Sequence, residues 1–256
     1  MYGQAMGRMS NLQSVILQRV DIDKRLLKAI CELKSVQSLS IELCSLVEDI
    51  RDTIIQKLTP LKLKSFSYTT PFNNPLLPKI LARIVNTSSL EKLEVDDWAV
   101  ARNIFMQFGK ESSLVELVLF EARDDPILWK VLELSNAMKS LRIGDLSGAS
   151  SSIGPLSPSS MPQLCILQAP ALLASALVPG RPLHTVIIPN FGVIGGVAIN
   201  GLEHSTIPIG VLEIPSCDYP QISFDKFPQM EVLRLSYGYI QDQSDNPSWL
   251  EDVSWS

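Results

Sequence analysis

Residues 88–98 read SSLEKLEVDDW, residues 112–122 read SSLVELVLFEA, and residues 136–146 read NAMKSLRIGDL. The pattern L-x-x-L-x-L therefore starts at Leu90, Leu114 and Met138, 24 residues apart each time, with one Met in place of a Leu. Within LEKLEV, Leu93 and Val95 alternate with Lys92 and Glu94. Alternation with period two is the pattern of a strand whose two faces meet different surroundings.

Outward from these three segments, the template with any apolar residue allowed also starts at Leu12, Val36, Leu63, Leu164, Leu183, Ile209 and Met230. Single matches are cheap in a chain that is 46% hydrophobic. A near-regular series over the whole length is not, and it identifies an internal repeat. Between the first matches the apolar spacing changes from two to three or four. Ile22, Leu26, Leu27, Ile30 and Leu33 predict one helix; Leu46, Ile50, Ile54 and Leu58 predict a second. A third lies in NPLLPKILARIV, confined by Pro78 to the residues after that proline. AVARNIFMQFG and DPILWKVLELSNA continue the series, the latter with Asp125 as N-cap and Pro126 at the first helical position. LLPKILARIV superficially resembles the start of an F-box, but its place between two strand matches assigns it to a repeat helix.

A strand, a turn, a helix and a return make each strand parallel to the one before it. One such unit cannot cover its own apolar face, so the units must stack. The expected fold is α/β: a solenoid of about ten repeats forming a single domain over residues 1–256, with a parallel sheet and with helices outside it in the first half. After Leu146 the stretch 147–161 is rich in Ser, Gly and Pro and reads as a surface loop replacing a helix. PALLASALVPG reads as one short helix; NFGVIGGVAING and SCDYPQISFDKFP read as irregular connections. A second domain starting near Met161 is the competing reading. Residues 241–256 form an acidic tail in which NPSWLEDVSW is expected to be a short capping helix. Almost nothing precedes the first match, so an uncapped N-terminal strand, self-associating or covered by a partner, is expected.

At LQSVIL, VQSLSI, LEKLEV, LVELVL, MKSLRI, IGVLEI and MEVLRL the chain resembles the leucine-rich repeat family, over roughly residues 11–238. The family's usual Asn beyond the strand is mostly absent; Cys44 and Cys217 fall near that place, as in its cysteine-containing intracellular branch. The irregular repeat lengths resemble the leucine-rich regions of fungal and plant F-box proteins. The resemblance implies a horseshoe with the sheet on its concave face, and a protein-binding role with no cofactor and no catalysis. It implies, more finely, the substrate-receiving part of an F-box-type ubiquitin-ligase receptor with ligase components as partners. The alternatives are another intracellular leucine-rich regulator or assembly scaffold, and an enzyme on an α/β scaffold.

Composition bounds the rest. Net charge is −5, of which the last sixteen residues contribute four acids and no Lys or Arg. A near-neutral body without a basic run argues against a nucleic-acid partner. No apolar run approaches a membrane span, so no membrane partner is expected. No signal peptide is evident and no C-x-x-C pair occurs among Cys31, Cys44, Cys165 and Cys217. Reduced thiols and a cytoplasmic or nuclear location are expected. His184 reads as a strand residue, and His204 as a loop residue. The glycines of GVIGGVAING lack the order of a phosphate-binding loop. No metal or catalytic constellation emerges, and the carboxylates Glu94, Asp96, Asp97, Glu116 and Glu121 read as a solvated acidic surface.

Function should sit on the sheet. The third, fifth and seventh template positions point away from the core. The fifth-position column runs Ile16, Ser40, Ser67, Glu94, Val118, Arg142, Gln168, Ile187, Glu213, Arg234. The expected partner-binding patch is its middle: Lys92, Glu94, Asp96, Glu116, Val118, Phe120 and Arg142, with Phe120 as an exposed aromatic anchor.

Overall fold

All ten matched segments are strands of one parallel sheet in the computed structural model, which describes residues 9, 11–47, 50, 52–69, 77–109, 112–148, 156–157, 159–189, 201–216 and 223–236. The strands are β1 Ser14–Gln18, β3 Ser38–Glu42, β5 Ser65–Thr69, β6 Lys92–Val95, β7 Glu116–Arg123, β8 Ser140–Ser147, β9 Ile166–Gln168, β10 Thr185–Ile187, β11 Val211–Pro215 and β12 Val232–Ser236. Each pairs with the next along the chain, so spatial order equals sequence order. A two-residue ladder between β2 (Asp21–Ile22) and β4 (Ser45–Leu46) follows the first two strands.

The register is that of the template. The fifth-position column is a continuous row of paired residues from Ile16 and Ser40 to Glu213 and Arg234. One hydrogen-bond motif fixes it. In each of nine successive repeats the carbonyl of the second template residue accepts two N–H groups, those of the second and third residues of the next repeat. Gln13 thus accepts from Gln37 and Ser38, Lys64 from Glu91 and Lys92, Glu91 from Val115 and Glu116, and Gly210 from Glu231 and Val232. The serine that precedes the template adds a second link. Ser35, Ser89 and Ser113 donate their hydroxyls to the carbonyls of Leu12, Leu63 and Leu90, which gives SSL its structural meaning.

The core is built from the fourth and sixth positions. Leu39, Phe66, Leu93, Leu117, Leu141, Leu167, Val186 and Leu212 form one buried column, and Ile41, Tyr68, Val95, Leu119, Ile143, Ala169, Ile188 and Ile214 the other. Burying one such Leu contributes roughly 1.5–3 kcal/mol, which is why columns and not isolated elements hold the sheet. At the last strand the same columns open: Leu233 and Leu235 are exposed. Past the first two strands the chain turns through left-handed residues, Arg19 and Leu43. Next to that turn the buried Cys44 thiol donates to Leu17 O and Glu42 O, both at 3.4 Å.

Six α-helices lie between strands among the described residues: α1 Lys24–Cys31, α2 Asp52–Ile55, α3 Leu77–Ile84, α4 Trp98–Phe105, α5 Pro126–Leu134 and α6 Ala171–Leu177. Asp23, Asp97 and Asp125 cap three of them by accepting backbone N–H groups. The helix expected from Leu46 to Leu58 is reduced to α2, because Leu46 is drawn into the β4 ladder. β8 pairs with β9 across the Ser/Gly/Pro-rich stretch, so the sheet runs on past Met161.

In the described part of that stretch Leu156, Ser160 and Met161 are buried, while Ser147, Gly148, Ser157 and Ser159 are exposed. A fully buried arginine organises it. Arg181 donates Nε to Ser160 O at 3.0 Å and Nη2 to Ser157 O at 2.9 Å, and Nη1 to Leu177 O and Pro179 O at 2.6 and 3.2 Å. Burial lowers its pKa from the ordinary value, the direction expected when a cation loses water. The expected helix at 241–256, Cys217, the start of the chain and most of NFGVIGGVAING lie outside the described residues.

Candidate binding face of the sheet

The seven residues of the expected outward patch fall on three adjacent strands. Lys92 pairs with Glu116 and Glu94 with Val118 across β6 and β7; Val118 pairs with Arg142 across β7 and β8. Glu94 therefore lies two strands from Arg142. Asp96 and Phe120 follow the paired residues Val95 and Leu119. Asp96 is half-buried, and its N–H donates to Tyr68 O at 3.2 Å.

The acidic surface is partly neutralised. Lys92 Nζ stands 3.3 Å from Glu116 Oε1 and 3.7 Å from Glu94 Oε2, one cation serving two carboxylates on neighbouring strands. All three side chains remain about a third exposed, so each pair contributes at most about 1 kcal/mol. Arg142 is exposed and makes no ion pair among the described residues. Two of the five carboxylates leave the patch: Asp97 caps α4 through Ala99 N and Val100 N, and Glu121 lies opposite Asp145 further along β7 and β8.

Phe120 is 50% exposed and takes no part in the core. Two local features put it there. The in–out alternation of β7 slips at Phe120 and Glu121, both outward, before Ala122 returns to the core. On the β8 side stands Gly144, where a Cβ would come within 2.5 Å of Phe120 O. The close approach of the two backbones demands glycine at Gly144.

The wider face changes character along the sheet. β1, β3 and β5 present Ser14, Ser38, Ser40, Ser65 and Ser67 around the exposed Ile16; β9, β10 and β11 present Ile166, Ile187 and Val211, all half-buried, with Thr185 between Ile166 and Val211 and Ile187 in the next outward row. Ile166 and Val211 belong to the third-position column and Ile187 to the fifth. His184 stands just before β10, exposed, with Nδ1 3.3 Å from Thr185 Oγ1. His204 ends a short 3-10 helix, Leu202–His204.

Among the described residues no group of three or more His, Cys, Asp or Glu could hold a metal ion, and no helix is long and apolar enough to cross a membrane. Burial, and to a lesser extent Glu32, pushes the Cys31 thiol up to about 11, so it stays protonated at neutral pH and is a poor nucleophile. No protein-family model matches the chain, and no curated protein matches it.

Proposed function

We propose that the chain is a non-catalytic protein-binding scaffold, a leucine-rich repeat solenoid that receives its partner on the outward, concave face of the sheet. The observation that carries this reading is Phe120, an aromatic ring half exposed on a rigid strand, with Asp96 on one side and side-chain-free Gly144 on the other. Leaving such a ring in water forgoes apolar burial, and aromatic side chains ringed by polar groups are the usual carriers of binding energy. Arg142, without an ion pair among the described residues, offers a second anchor two strands from Glu94. The finer reading, the substrate-receiving part of an F-box-type ubiquitin-ligase receptor in the cytoplasm or nucleus, is supported by the repeat pattern alone, and its warrant is analogy.

The test pairs two measurements on Phe120→Ala: thermal melting, and quantitative affinity purification from cells beside wild type. The expected outcome is an unchanged melting curve and selective loss of bound proteins, with affinity for a recovered partner falling by more than about 1 kcal/mol. Recovery of ligase adaptors with the full-length product supports the finer reading. A large loss of stability with unchanged capture means that Phe120 only packs, and overturns the docking face.

A further inference from the structure

A groove of about 480 Å³ opens at the starts of β1, β3, β5 and β6, away from the Phe120 patch. Three lysines line it: Lys34 before β3, and Lys62 and Lys64 before β5. Asn11, Gln13, Gln37, Ser35 and Ser89 complete its polar lining, and no carboxylate residue lines it. Lys64 shares its charge with Glu91 at 3.2 Å, at the margin; Lys34 and Lys62 make no ion pair among the described residues. The backbone carbonyls of Gln13 and Gln37 are already saturated, each accepting two N–H groups from the next repeat. What the groove has left to offer a ligand is the positive charge of its lysines and the side-chain amides of Asn11, Gln13 and Gln37, which can turn their NH2 groups toward an anion.

We propose that this groove binds a peptide segment carrying at least two anionic groups, carboxylate or phosphoryl. The geometry argues for an extended chain and against a single ion. Lys34 and Lys62 belong to successive repeats whose strands lie about 4.8 Å apart, so the charges form a short row across the strand starts. Anionic side chains spaced along a peptide meet the ammonium groups in turn, while the amides of Gln13 and Gln37 donate to its backbone carbonyls or carboxylates. The protein's own charge favours a peptide over nucleic acid: at −5 overall, it offers one local basic row and no extended field to follow a phosphate backbone. The site is independent of the Phe120 face, so either can fail alone.

The experiment is fluorescence anisotropy on the full chain with four labelled probes: a Glu-rich decapeptide, the same length carrying two phosphoserines, a neutral Gly/Ser decapeptide, and a single-stranded oligonucleotide. Saturable binding of one or both anionic peptides is expected, weakening as salt rises from about 50 mM to about 0.5 M. The two anionic arms distinguish carboxylate from phosphoryl. Lys34→Glu with Lys62→Glu should weaken binding about tenfold or more, and Lys34→Gln with Lys62→Gln less. Lys139→Glu, an exposed lysine before β8 and outside the groove, should change nothing. Lys34 and Lys62 are exposed, so melting curves should match wild type. Equal affinity in all variants, equal weakening by Lys139→Glu, binding only of the oligonucleotide, or binding of the neutral peptide each overturns the proposal.

Discussion

Asp125 shows how much one residue can announce. Its position before Pro126 marks it as an N-cap in the bare sequence, because the chemistry is local: a short carboxylate, a proline that needs no N–H partner, and an apolar run behind them. In the structure its Oδ1 accepts from Ile127 N at 2.8 Å and its Oδ2 from Arg102 Nε at 2.9 Å. The Ile127 N–H first, and Arg102 after it, hold the carboxyl below its ordinary value of 3.8. A carboxyl whose pKa is depressed by folding stabilises the protein above its unfolded pKa and loses that contribution as pH falls through the folded value. Asp125→Ala should therefore cost about 1 kcal/mol at neutral pH. The melting difference from wild type should shrink in acid below about pH 3.8. A difference that persists undiminished there would mean that the charge is not what stabilises the cap. Arg181 is the opposite case. Its partners are four backbone carbonyls from Ser157 to Pro179, and a carbonyl leaves no trace in the sequence. Nothing in VPGRPL separates a buried arginine from a solvated one.

At the level of elements, the strands were legible and the second helix was not, for one reason. Both readings rest on apolar spacing, but ten strand matches support one another through a shared period, whereas Leu46, Ile50, Ile54 and Leu58 stand alone. A tertiary ladder took Leu46, and only Asp52–Ile55 remained helical. The strand positions of the proposed patch residues were legible, but their charge balance was not. That Lys92 bridges Glu94 and Glu116 follows from the strand pairing, and only known register puts the three together. The pairing of β7 with β8 also explains Gly144, the seventh residue of the repeat that starts at Met138, which carries no signal of its own in the sequence. Gly144→Ala forces a Cβ against Phe120 O, and a backbone atom cannot swing aside. The substitution should destabilise by about 1–3 kcal/mol, as overpacking does. Arg142→Ala, two residues away but exposed, should stay within about 0.5 kcal/mol of wild type. Denaturant titration of the two variants checks the contrast; equal stabilities would show that the strands part easily at Phe120.

For the whole molecule, the organising fact is that nine carbonyls do the same thing. Glu91 O holds Val115 N and Glu116 N just as Lys64 O holds Glu91 N and Lys92 N. Each repeat thus presents to its successor the same surface that its predecessor presents to it, and the chain becomes divisible. Excision of residues 90–113 joins Ser89 to Leu114, and Lys64 O then faces Val115 N in place of Glu91 N. The hydroxyl link survives too, since Leu63 O keeps the serine that now stands before Leu114. The shortened chain should fold into a nine-stranded sheet about 4.8 Å narrower and melt cooperatively. Removing residues 90–101 alone, half as many, would set a strand where a helix belongs and should abolish the transition. Circular dichroism of the two deletions decides the matter, and a folded half-deletion with an unfolded full one would refute it. A protein built this way can lengthen or shorten by whole units, because every joint between neighbouring strands is the same pair of hydrogen bonds, while the connections between strands stay free to differ in length.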